Sequence, residues 1–220
     1  MKILALEFSC DERSVAIFEN ETGDSPVALC VASEKSGRAT HAVALIQNVL
    51  RQADWEREQI EVIAVGLGPG SYTGIRAAIA FAQGWQLARD IKIVGISSGE
   101  CLAFQAQKKK LFGQINIIID AQRNEFYVAT YEISETIRRQ IKPLAIVPFS
   151  EIETRAVNGE VIIGPDSTNW FHEARNLFPN AESLAQLAAR HPDFVSGEKL
   201  EPIYLRETSF IKAPPTRVIL

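Results

Sequence analysis

The chain has 220 residues, 46% apolar and 23% charged, and a formal net charge of −4 from 23 Lys plus Arg against 27 Asp plus Glu. That length and balance describe a globular chain with one large domain or two compact lobes, and exclude a disordered adaptor, a collagen-like fibre and a disulfide-stitched module. The weak acidity supplies no global field for polyanions, so independent nucleic-acid binding is not expected.

The predicted elements open with three short strands, Ile3–Phe8, Ser14–Glu19 and Val27–Ser33, antiparallel because their connections are short. A helix follows from a Thr40 cap to about Ala53, with Ala42, Leu45, Ile46, Val49, Leu50 and Ala53 at helical spacing. Next come a strand at Ile60–Val65, a glycine-rich turn, a helix from about Tyr72 to Ala88 and a strand at Ile91–Ile96. Beyond a short helix around Cys101–Gln107, the second half repeats the first. Ile3–Glu7 aligns with Asn116–Asp120 at an offset of 113, and at that offset Glu12, Val15, Ala16 and Glu19 meet Glu125, Val128, Ala129 and Glu132. Its later elements are a strand at Leu144–Pro148, a helix from Ser150, a strand at Val161–Ile163 and helices near Thr168–Asn176 and Ser183–His191.

This pattern predicts an α/β protein with a duplicated ribonuclease-H-like, actin-like ATPase fold of two β-β-β-α-β-α lobes. The expected divisions are 1–98, 99–200 and an extended tail at 201–220, where Pro202, Pro214 and Pro215 oppose a helix. Cys10, Cys30 and Cys101 form no Cys-x-x-Cys pair, so neither zinc nor a disulfide framework is indicated. No apolar run reaches membrane-helix or signal-peptide length, and a soluble, cytoplasmic protein is expected. Lys108-Lys109-Lys110 reads as a solvated helix end.

The densest motif is Gly66-Leu67-Gly68-Pro69-Gly70-Ser71-Tyr72-Thr73-Gly74-Ile75-Arg76. It matches neither a Walker loop nor Gly-x-Gly-x-x-Gly. Its residues leave two readings open: a structural turn capped by Ser71, or an anion loop built on Gly68, Gly70, Ser71, Thr73 and Gly74. The stretch resembles the Gly-x-Gly-Pro-Gly-Ser-x-Thr-Gly-x-Arg signature of the TsaB (YeaZ) family, formerly filed as M22 glycoprotease-like. The resemblance extends to Ile3–Ser9, His41, Ile119-Asp120-Ala121, Glu125-Phe126-Tyr127 and Pro202–Arg206. It implies an actin-like fold and a part in threonylcarbamoyladenosine modification of tRNA as the partner of a TsaD-like transferase. It also implies a TsaE-like ATPase on the assembled complex, homodimers when alone, no intrinsic cofactor, and ATP with magnesium entering through the partner.

The residues argue against catalysis by the chain itself. Glu7-Phe8-Ser9-Cys10-Asp11 lacks the glycine that would bring backbone to phosphate, and Glu7 stands where the family usually has Asp. His41 has Leu45 rather than a second histidine one turn on, so no helix-face metal pair is expected, and His172 and His191 are isolated. A two-metal nuclease fails because the first helix carries no acid. Gly95-Ile96-Ser97-Ser98-Gly99 satisfies Gly-x-Ser-x-Gly, so the alternative is a free-standing M22-type peptidase or a serine hydrolase using Ser97, with Asp166 and His172 or His191 following in chain order.

The helices carry the stronger signal. From Ile75 to Ala88 the second helix is apolar nearly all round, with small-residue rows Gly74-Ala78-Ala82 and Ala77-Ala80-Gly84-Ala88. The first helix carries Val43, Ile46 and Leu50 beside its Ala42-Leu45-Val49 stripe. If one face of each covers a sheet, the other is either an exposed partner site or buried inside a monomer; the resemblance to the TsaB family, whose members pair through the corresponding helices, implies the partner site. The candidate partner-binding set is Val43, Ile46, Leu50, Ile75, Ala77, Ala78, Phe81, Ala82 and Trp85, with no catalytic and no metal residue.

Overall fold

The computed structural model describes residues 1–19, 28–35, 41–190 and 193–206; the expected Thr40 cap, His191 and the tail beyond Arg206 lie outside them. The first half folds as β1 (Lys2–Glu7), β2 (Glu12–Glu19), β3 (Ala28–Lys35), α1 (Ala42–Ala53), β4 (Val62–Gly66), α2 (Tyr72–Ala88) and β5 (Lys92–Ile96). After α3 (Ser98–Lys108), the second half folds as β6 (Gly113–Asp120), β7 (Glu125–Ile133), β8 (Arg138–Pro148), α4 (Phe149–Val157), β9 (Val161–Gly164), β10 (Arg175–Asn176), α5 (Ala181–Arg190) and β11 (Phe194–Val195). The sheets run β3-β2-β1-β4-β5 and β8-β7-β6-β9-β10, one order used twice, and β11 extends the first at β5. Short turns make β1–β2 and β6–β7 antiparallel, while helical crossovers make β1–β4 and β6–β9 parallel. The duplicated ribonuclease-H-like plan is therefore present. The repeat is offset by one residue in pairing: Glu7 faces Ser14, whereas Asp120 faces Phe126 rather than Tyr127.

Alternation along β1 explains its unbroken apolar run. Leu4, Leu6 and Phe8 enter a core with α1 and α2, while Ile3 and Ala5 enter another with Cys101 and Phe104 of α3 and Ala181, Leu184 and Ala185 of α5. Both faces of the strand are covered, so both parities must be apolar. The helices after each lobe are exchanged: α5 covers β1 and β2, while Leu102, Ala103 and Ala106 of α3 join the core of the second sheet. Within the expected 99–200 division, α5 packs on the first sheet and β11 extends it.

The helix expected at Thr168–Asn176 is instead a 3-10 turn at Ser167–Asn169, followed by β10. The Asn176 Oδ1 accepts from the Thr168 N–H at 2.9 Å and the Ser167 hydroxyl at 3.4 Å, satisfying locally groups that a helix would use otherwise. β8 begins six residues before the expected Leu144, because its charged start, Arg138-Arg139-Gln140, belongs to an exposed sheet edge.

Candidate functional site

The glycine-rich turn joins β4 to α2 and lies on the carboxyl end of β1. At Gly70 (φ +147°) and Gly74, a Cβ would overlap the carbonyl oxygens of Ser9 and Phe8. The Ser71 N–H donates to the Ser9 carbonyl at 2.6 Å, and the Ser71 Oγ accepts from the Gly74 N–H at 3.3 Å. Gly68 gives its carbonyl to the Ser98 N–H at 2.8 Å. Close backbone approach and capping thus account for Gly68, Gly70, Ser71 and Gly74, while Thr73 is exposed.

Glu7 does not fit the magnesium-nucleotide role of an actin-like ATPase. Its side chain is fully buried, with Oε1 accepting from the Ser9 N–H at 2.9 Å and Oε2 from the Ser98 hydroxyl at 3.0 Å. Burial pushes its pKa above the ordinary 4.5, against the lowering effect of these hydrogen bonds. Beside it, burial and then the Glu7 charge push the Cys10 thiol well up, and the same causes push Cys101 up to about 12, so neither is a reactive thiolate. Among the described residues, no group of three or more His, Cys, Asp and Glu could hold a metal ion, and no helix is long and apolar enough to cross a membrane.

Ser97 is an ordinary helix cap. Its φ and ψ are −64° and 134°, and its Oγ accepts from the Gly99 N–H at 3.2 Å and donates to the Gly68 carbonyl at 3.4 Å. The histidines within the described residues pair elsewhere, His41 with Glu34 and His172 with Glu173, each at 3.1 Å. Among the described residues, no histidine is paired with Ser97 as the base of a hydrolase triad.

An open cleft of about 990 Å³ separates α1 from α2. Its walls are Val43, Ile46 and Leu50 on one side and Ala80, Phe81, Gly84, Trp85 and Ala88 on the other, and Trp55 lines it together with charged residues of both signs, Arg51, Glu56, Arg57, Glu58 and Arg89. Trp55 is placed by the end of α1: Asp54 turns left-handed (φ 55°) and the Trp55 N–H donates to the Leu50 carbonyl at 2.9 Å, a Schellman-type stop. The two small rows of α2 separate cleanly. Gly74, Ala78 and Ala82 are buried against the sheet, while Ala80, Gly84 and Ala88 are exposed. A Cβ on Gly84 would meet nothing within 4 Å.

The sequence model of the family described as "TsaD: tRNA N6-adenosine threonylcarbamoyltransferase" matches residues 34–196. The chain belongs to this family, in its TsaB (YeaZ) branch. It is 26% identical over 232 residues to the tRNA threonylcarbamoyladenosine biosynthesis protein TsaB of Escherichia coli strain K12, covering 98% of this chain and 99% of that one. To the TsaB of Bacillus subtilis strain 168 it is 29% identical over 143 residues, 65% of this chain and 60% of the other. The solved structure of YeaZ from Pseudomonas aeruginosa superposes with a TM-score of 0.76 at 24% identity, over 93% of this chain and 99% of that one, which supports the actin-like fold.

Against this TsaB-family fold, the expected partner-facing set divides. Val43, Ile46, Leu50, Phe81 and Trp85 line the cleft. Ile75, Ala78 and Ala82 are fully buried beneath α2 and have no surface to offer, and Ala77 is half-buried outside the cleft lining. Sequence reading missed Trp55 and the charged residues Arg51, Glu56, Arg57, Glu58 and Arg89. A tryptophan directly after a predicted helix end was the available signal for the first.

Proposed function

We propose that the chain is a non-catalytic subunit of tRNA threonylcarbamoyladenosine biosynthesis, working in the cytoplasm as a scaffold for a TsaD-like transferase. In this reading the α1–α2 cleft is the docking face, occupied by a second copy when the chain is alone and by the transferase in the complex. Catalysis, ATP and magnesium enter through the partner, with a TsaE-like ATPase acting on the assembly. The single observation that carries the reading is Gly84. An exposed mid-helix glycine costs the isolated chain roughly 0.5–1 kcal/mol relative to alanine, and nothing among the described residues uses the space over it. It makes sense as room for another helix at close range. The names of its TsaB relatives, and the transferase family model over residues 34–196, supply the chemistry.

The test is Gly84→Glu. The variant should keep its circular dichroism spectrum and melting temperature, yet lose self-association and binding to a TsaD-like subunit by about 100-fold, the effect of an unpaired charge in a desolvated contact. Retention of both associations would remove the cleft from the mechanism.

A further inference from the structure

We infer that residues 200–206 form a clasp that bonds to both lobes and couples their motions. The segment is anchored at one end by Leu200, which is buried in the α1–α2 core of the first sheet. The Ile203 N–H then donates to the Leu67 carbonyl, just past β4, at 2.9 Å. The Tyr204 ring stacks on the Tyr72 ring at 5.2 Å, and its hydroxyl donates to the Tyr72 carbonyl at 3.4 Å, at the first residue of α2. Two residues later the segment is in the other lobe. Arg206 donates through Nη2 to the Ala121 carbonyl at 2.9 Å and to the Glu125 carboxylate at 2.6 Å, across the β6–β7 turn.

That turn needs outside support. Gln122, Arg123 and Asn124 hold φ of 62°, 59° and 62°, three consecutive non-glycine residues in the left-handed region. Asp120 restrains it from within, accepting from the Gln122 N–H at 2.7 Å and the Gln122 Nε2 at 2.9 Å. Phe149 donates its N–H to the Asn124 carbonyl at 3.0 Å, and Arg206 supplies the restraint that comes from the far end of the chain. The clasp therefore runs between the carboxyl ends of β4 and β6, the ends of parallel strands where α/β sheets take ligands. Its placement agrees with the poor fit of Glu7 to a nucleotide, and the inference stands apart from the identity of the docking partner.

Coupling separates a clasp from a set of local contacts. Hydrogen exchange on the whole chain should show that Arg206→Ala, which cuts the second-lobe end, accelerates amides of residues 121–125 and also those of residues 67–75 at least 10-fold. Tyr204→Ala should do the reverse, loosening the β6–β7 turn from the first-lobe end. Tyr204→Phe, which keeps the ring stack, and Arg206→Lys, which keeps the charge without the planar fork, should give smaller changes in the same two segments. Acceleration confined to the lobe that was cut would overturn the inference. So would uniform acceleration that includes β1, because a general loss of stability needs no clasp.

Discussion

The two lobes have the same strand order and differ in the crossover between their last two parallel strands. In the first, β4 reaches β5 through the 17 residues of α2; in the second, β9 reaches β10 through little more than the 3-10 turn at Ser167–Asn169. The strand order can therefore be completed without a long helix at this point. The outer faces differ accordingly. In the second lobe Phe126, Phe149, Phe171 and Trp170 pack on one another, with centroids 5.1–6.2 Å apart, and seal the surface internally. In the first, Phe81 and Trp85 stand beside an open cleft. What α2 adds beyond the second lobe's plan is apolar surface, and a duplicated fold makes such an addition visible by subtraction.

Three substitutions sharpen this contrast. Ala78→Glu, on the buried row of α2, places a carboxylate against β4 with no partner. The cost, on the order of 5 kcal/mol, approaches the ~5–15 kcal/mol stability of a whole domain. The variant should be largely unfolded by circular dichroism at 25 °C; a folded Ala78→Glu protein would mean that the buried row is not core. Next in size is the contrast between Glu7 and its repeat equivalent Asp120, which is half-buried at the β6–β7 turn. Folding raises the Glu7 pKa, so the stability linked to its protonated form is fully present below about pH 4.5 and is lost as pH rises through the folded-state pKa. Glu7→Gln can still accept from the Ser9 N–H and can donate toward Ser98. Urea unfolding from pH 4 to 8 should show the wild type losing stability relative to this variant; parallel curves would contradict the assignment. The smallest effect is that of Gly84→Ala. It should stabilise the isolated chain by roughly 0.5–1 kcal/mol while weakening association, and a gain in both would show that no helix approaches there.

Strand order was legible because hairpin turns and period-two alternation are local signals, and because Glu7 and Asp120 fall at matching strand ends. The exchange of α3 and α5 was not, since Leu184 and Leu102 have the same helical pattern whichever sheet they cover. At Thr168–Asn176 a helix was expected, but Asn176 serves the backbone at Thr168 instead. The two rows of α2 were visible as rows. Which row is buried depends on how the helix is turned over β4, and alanines on both sides carry no polar mark to orient it. The glycine-rich stretch was conspicuous, yet its glycines accommodate the carbonyls of Phe8 and Ser9, contacts with a strand some sixty residues earlier.

The placement of α5 also bears on when the first sheet can close its core. Strands β1 to β5 all precede α5 in the chain, yet Ile3, Ala5 and Val94 share their core with Ala181, Leu184 and Ala185 as well as with Cys101 and Phe104 of α3. Until α5 is made, α3 alone covers that face, and apolar surface left open during folding is prone to aggregation. A chain that stops before residue 181 lacks the helix that covers this face, so the core of the first sheet is closed only by one of the later elements of the sequence.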